Sequence, residues 1–198
     1  MPRNKAFNPT QAVDQAMRVF WQQGYTATSI QELLEAMELH HGSLYNAFGD
    51  KHHVFLAALE HYRDVRACPA IACLKDETRS PIATIEDIFQ HIVEESTDPT
   101  VPCGCLMTNT LVELVPHDPI VAEFVLTVQA EFEQALYEAL IRAQQRGEIS
   151  QSKDPRAFAR FLVSARHGIR VMARGTTDRA TLQDIADVTL TTVRGEKK

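Results

Sequence analysis

A chain of 198 residues, 44% of them hydrophobic, can enclose a real core, and its net charge of −6 excludes the broad positive face that nonspecific nucleic-acid binders need. No apolar run approaches the roughly 18 residues that cross a bilayer, and Met1 to Thr10 carries two basic residues with no apolar stretch behind them, so a cytoplasmic protein is expected, without membrane anchor or signal peptide. Its four cysteines then read as reduced thiols, and neither a metal nor another cofactor is expected, because Cys68-x4-Cys73 and Cys103-x-Cys105 both miss the usual zinc-ligand spacing.

Most of the 9 prolines lie between apolar periodic stretches, which predicts an all-α fold. From about Thr10 to Gln23, Val13, Ala16, Met17, Phe20 and Trp21 recur on one helical face, and Gly24 stops the helix. A second helix is expected from Thr28, with Thr28 and Gln31 as a capping box and Ile30, Leu33, Leu34 and Met37 as its buried face. In Leu39 to Phe48, Leu39, Leu44 and Phe48 anchor a brief helix whose other side is polar. Asp50 caps the next helix, where Val54, Phe55, Ala58, Leu59 and Tyr62 carry the apolar pattern to about Arg66. Residues 68–80, bracketed by Pro69 and Pro81, read as a linker. Five more helices follow, at about 81–96, 104–115, 119–147, 155–175 and 178–193. The longest carries Ile120, Val121, Phe124, Val125, Val128, Phe132, Leu136 and Leu140 as a stripe fit for the centre of the core.

A short helix, a tight turn and a second helix with a polar exposed face is the geometry that sets side chains against base edges in the major groove. Residues 1–53 hold Arg3, Lys5, Arg18 and Lys51 against Asp14, Glu32, Glu35, Glu38 and Asp50. Affinity for DNA must then come from a few placed contacts and from helix N-termini facing phosphates.

The run Gly24-Tyr25-Thr26-Ala27-Thr28-Ser29-Ile30-Gln31-Glu32-Leu33, followed by Gly42-Ser43-Leu44-Tyr45-Asn46-Ala47-Phe48-Gly49-Asp50-Lys51, resembles the signature of the TetR family of one-component regulators, most specifically across residues 10–59. The resemblance implies about nine helices, with a three-helix DNA-binding domain at 1–50, a ligand-sensing and dimerisation domain at 51–198, and helix 51–66 connecting them. It implies a homodimer that binds a palindromic double-stranded operator, as a repressor, and releases it on a small-molecule signal or on an electrophile or oxidant signal. By position, Thr28, Ser29, Tyr45 and Lys51 contact phosphates, His40, His41, Ser43 and Asn46 are candidates for base edges, and Gly42 lets the backbone approach DNA. The residues alone leave other roles open: Thr28 as a cap, Tyr45 as packing, Lys51 as a surface charge. Two departures stand out. Glu38 occupies the usual turn glycine, so a residue with a side chain must take positive φ at a cost of order 1 kcal/mol or force another turn. His40 replaces the usual Ser, Asn or Thr cap of the recognition helix.

Further on, Pro102-Cys103-Gly104-Cys105-Leu106-Met107-Thr108-Asn109-Thr110 resembles a Gly-Cys-Leu motif that opens the sixth helix in one branch of the family, which includes repressors of reductases for reactive electrophiles. Cys105 is then the branch residue and Cys103 an addition. A thiol at a helix N-terminus is made more reactive by the dipole, although a free cysteine is also a common packing residue. A ligand pocket is expected among the fifth to eighth helices, with Asn109, Glu113, His117, Phe124, Arg166, His167 and Arg170 as candidates. Arg166 and Arg170 share a helical face, suited to a carboxylate ligand or to an intersubunit ion pair. The last two helices resemble the family's dimerisation pair. The rival readings are an enzyme using Cys103 or Cys105 with His117, and a helical interaction module without operator binding.

Overall fold

The computed structural model describes residues 8–176 and 178–194; Arg3 and Lys5 lie outside the described residues. Among those described there are nine helical rods and no strand: α1 (Pro9–Gln23), α2 (Ile30–Ala36), α3 (His41–Phe48), α4 (Lys51–Tyr62, continuing through a π turn at Arg63–Ala67 into Cys68–Lys75), α5 (Pro81–Thr97), α6 (Leu106–Glu113), α7 (Pro119–Gln145), α8 (Pro155–Met172) and α9 (Arg179–Arg194). One start signal recurs. Ser80-Pro81, Asp118-Pro119 and Asp154-Pro155 each place a capping side chain before a proline, which loses nothing in the first turn because its missing N–H has no partner there.

Two expectations need correction. The cap of α2 is Ser29, not Thr28: Ser29 Oγ accepts from Glu32 N–H at 3.2 Å, and Glu32 in turn accepts from Ser29 N–H at 2.7 Å. Thr28 is 2% exposed and its hydroxyl donates to the Gly24 carbonyl at 2.6 Å. Residues 68–75 are helix rather than linker. Proline inside an α-helix removes a bond and drives its ring against the carbonyl four residues back. The π turn lies immediately ahead of Pro69 and takes up that conflict, since Cys68 N–H reaches back five residues to the Arg63 carbonyl.

Burial sorts the chain into two apolar cores that do not part at residue 50. The first joins α1 to α3 and the first half of α4 with Cys105, Leu106 and Met107, and with Val121, Val125 and Val128 of α7. The second joins the end of α4 to α5, α8, α9 and the rest of α7 from Phe132 onward. Thus α7 runs through both, with the seam between Val128 and Phe132. Its predicted stripe holds except at Ile120, which is exposed. No helix among the described residues is long and apolar enough to cross a membrane.

Candidate nucleic-acid interface and ligand cavity

In α3 only Leu44 is buried, and His40, His41, Gly42, Ser43, Tyr45 and Asn46 are all exposed. Tyr45 is 43% exposed and its ring stacks on His41, with centroids 4.5 Å apart. His40 caps α3 by backbone geometry alone, without a side-chain bond. Glu38 takes φ 54°, the left-handed conformation that its position demands. At Gly42 an added Cβ would meet nothing within 4 Å, so the chain's own packing does not require glycine there. Lys51 Nζ lies 4.3 Å from the centre of the Tyr25 ring at the head of α4.

Most of the acidic groups in this region are already engaged. Asp14 holds Arg18 and His61, Glu32 caps α2, Glu35 accepts from Gln31, and Asp50 accepts from the His53 backbone and ring. Among the described residues, only Glu38 of the five has no side-chain hydrogen bond. These bonds fix the carboxylates in place without removing their charge; of the five, Asp14 alone has an arginine partner among the described residues.

At the seam between the cores lies a cavity of about 390 Å³, within the size range of small-molecule sites. Its walls include Ile88, Ile92, Val128 and Phe132, and its polar groups gather around Glu95, 9% exposed near the end of α5. Arg170 Nη2 donates to one Glu95 oxygen at 2.7 Å, Arg66 pairs with the other, and His91 Nε2 lies 3.4 Å from it. This cluster, buried at Glu95 and Arg170 and open to solvent at His91, ties α4, α5 and α8 together. Arg170 was expected to serve a ligand or a second subunit; its carboxylate partner instead lies in the same chain. Arg166 stacks on Phe132 at 4.2 Å and has no carboxylate partner among the described residues.

Cys105 is 5% exposed, lines this cavity and forms the N-cap of α6. The buried Tyr62 hydroxyl donates to its Sγ at 3.2 Å. Burial pushes the thiol up, but the guanidiniums of Arg166 and Arg170 and the hydrogen bonds from Tyr62 and Thr108 outweigh it, leaving the pKa below the ordinary thiol value. Tyr62, pushed up by burial and by the neighbouring sulfur, stays protonated as the donor.

The other end of α6 grips the N-terminal helices. Glu113 accepts from Tyr25 N–H at 3.0 Å and Thr26 N–H at 2.7 Å, and Asn109 Nδ2 donates to the Trp21 carbonyl at 3.3 Å. Partial burial opposes the Glu113 charge, but those N–H groups and Lys51 outweigh it and hold its pKa below the usual carboxylate value. Gly24 is required here: it has φ 88°, and a Cβ would sit 2.8 Å from Glu113 Oε2.

Of the predicted sensor residues, Cys105, Arg166 and Arg170 line the cavity. Asn109 and Glu113 do not; they are braces between α6 and α1. His167 faces Thr108 Oγ1 at 2.9 Å, and burial followed by the Arg166 charge lowers its pKa to about 4. Phe124 lines a separate hollow with Arg63, while His117 and Cys103 are exposed and away from the cavity lining. Reading the sequence missed Tyr62, Arg66, Cys73 and Glu95 as cavity residues. Glu95 carried a signal, since it falls three residues after Ile92 on the stripe begun by Ile85, Ile88 and Ile92. Among the described residues no group of three metal-ligating side chains forms.

Residues 12–58 match the model of bacterial regulatory proteins of the tetR family, and residues 81–188 match the tetracyclin repressor-like C-terminal domain. The chain is 34% identical over 191 residues to the uncharacterized HTH-type transcriptional regulator YezE of Bacillus subtilis, covering 96% of this chain and 98% of that one. It is 35% identical over 188 residues to the HTH-type transcriptional repressor ComR of Escherichia coli, covering 95% and 90%. Its fold matches a cysteine mutant of the TetR family regulator CifR complexed with 26bp operator DNA, with a TM-score of 0.84, 28% identity and coverage of 95% and 98%.

Proposed function

Because this chain belongs to the TetR family of bacterial regulatory proteins, we propose that it works in the cytoplasm as a homodimeric transcriptional repressor, released from a palindromic operator by modification of Cys105. The observation that carries this reading is α6 itself, which has a lowered-pKa thiol at its head in a cavity and a carboxylate at its tail clasping the turn before α2.

In this reading α3 enters the major groove, with His40, His41, Ser43 and Asn46 toward base edges and Ser29, Tyr45 and Lys51 toward phosphates. Thr28, turned inward, supports the turn instead. Gly42 leaves room for the DNA backbone, which accounts for a glycine that packing does not need. The operator complex of CifR and the repressor description of ComR support this assignment. The division into a DNA-binding unit at 1–50 and a sensing unit at 51–198 follows from it, with α6 reaching across the boundary. Phe161, Val171 and Met172 on α8 and Val188 on α9 are exposed, forming the apolar face that a second copy would cover. The Gly104-Cys105-Leu106 sequence supports placement in the electrophile-responsive branch. We read the cavity as a sensor rather than a catalytic centre, since the thiol's neighbours are positive charges and a protonated tyrosine instead of a general base.

Titrating the purified protein onto its own upstream DNA, with and without N-ethylmaleimide and alongside Cys105→Ser, tests the reading. Specific binding weakened on the order of tenfold by the reagent, and unaffected in the serine variant, is expected. Binding indifferent to the reagent overturns the thiol signal, and absence of specific binding overturns the operator assignment.

A further inference from the structure

Four guanidiniums and only two carboxylates line the cavity, in a protein whose net charge is −6. Arg79 is paired with Asp87, and Arg66 and Arg170 divide Glu95 between them. Arg166 is left beside the Cys105 sulfur, with the Phe132 ring beneath it.

A Cys105 thiolate halves this surplus of two positive charges, because the sulfur supplies the counter-charge that Arg166 lacks. Reaction with a neutral electrophile would turn the thiolate into an uncharged thioether and strand a partly buried guanidinium beside that of Arg170. An electrophile that brings its own negative charge replaces the one the sulfur has lost. Resting on the thiol-sensor reading above, we infer that this cavity takes an α,β-unsaturated carbonyl compound bearing a carboxylate, with Arg166 receiving the carboxylate and Cys105 Sγ adding to the alkene. A carboxylate on a guanidinium forms strong charge-assisted hydrogen bonds, and the apolar walls around Phe132 and Val128 suit a carbon skeleton.

The chemistry closes without a further reactant. The Cys105 thiol gives its proton to solvent, the thiolate forms an S–C bond, and the alkene π pair moves to the carbon beside the carbonyl. That carbon takes a proton from solvent, so nothing leaves and nothing is oxidised.

Intact-protein mass spectrometry would follow adduct formation with β-acetylacrylate and with its methyl ester, each rate divided by the rate with N-acetylcysteine in the same buffer. The normalised acid-to-ester ratio at Cys105 is expected to be on the order of ten, to fall to near one in Arg166→Gln, and to be partly kept in Arg166→Lys. Any effect of Arg166 on thiol reactivity itself cancels in that ratio, and the Lys variant controls for folding. A ratio near one in the wild type, or a preference that survives Arg166→Gln, overturns the carboxylate assignment while leaving the thiol sensor standing. Normalised rates with both reagents no faster in the wild type than in Cys105→Ser overturn the sensor reading and this inference with it.

Discussion

Helices α3 and α6 are each eight residues long, and neither is capped by a side-chain hydrogen bond at its N-terminus. There the likeness ends. α3 buries Leu44 alone and turns its polar side chains outward, whereas α6 buries Leu106, Met107, Thr108 and Thr110 and is tied to other helices at both ends. An isolated helix of this length is unstable in water, so each must draw its order from elsewhere. α3 draws it from one anchor and leaves its outer face for a partner, while α6 is built to transmit displacement between two parts of the same chain.

The sharpest test of that contrast is Leu44→Ala. Leu44 is fully buried, so truncation is expected to cost about 2–5 kcal/mol and to abolish operator binding, read by denaturant unfolding and DNA titration. An unfolding midpoint close to wild type would mean that α3 has other anchors. Next, Glu113→Ala removes two charge-assisted bonds, worth about 1.5–3 kcal/mol of stability together. It is also expected to blunt operator release by N-ethylmaleimide, and an undiminished response would show that the signal bypasses α6.

A third test uses pH. His167 braces α6 through Thr108, and its pKa is depressed from 6.5 to about 4. The unfolded chain therefore binds more protons between those values, and stability rises with pH there. The contribution is fully present above about pH 6.5 and is lost as pH falls toward 4, on the order of 2–3 kcal/mol. Wild-type stability should fall relative to that of His167→Gln as pH falls through this window; a constant difference between the two would remove His167 from the account. The smallest effect is expected at the turn before α3. Glu38→Asn keeps a residue that tolerates left-handed φ and removes the one unengaged acid, so stability should rise by a few tenths of a kcal/mol and operator affinity by a few fold. Weaker operator binding would show that Glu38 does not face the DNA.

α3 was legible in the sequence because its signals are local, an apolar anchor and polar positions between, even though Glu38 stands where the turn demands positive φ. The α2 cap was misread by one residue because Thr28 with Gln31 and Ser29 with Glu32 satisfy the same pattern. Only the position of Gly24, which takes the Thr28 hydroxyl, separates them. The cavity was legible only in part. Cys105 showed through the resemblance of its motif and the pair Arg166 and Arg170 through helical spacing, but the Glu95 cluster joins residues 29 and 75 positions apart, which no helical period reveals. Pro69 was read as a break because a proline usually ends a helix, and the π turn that accommodates it has no local signature of its own.

That π turn constrains how such proteins can be recombined. It places an extra residue in the rod joining the N-terminal helices to the cavity, and one residue corresponds to about 100° of rotation around a helix axis. A chimera joined within Arg63–Ala67, with the bulge regularised to ordinary α-helix, would turn every side chain downstream by that angle and carry Cys73 and Leu74 away from their neighbours. Biosensors assembled by exchanging sensor halves should therefore keep the bulge whole and place the junction upstream of it.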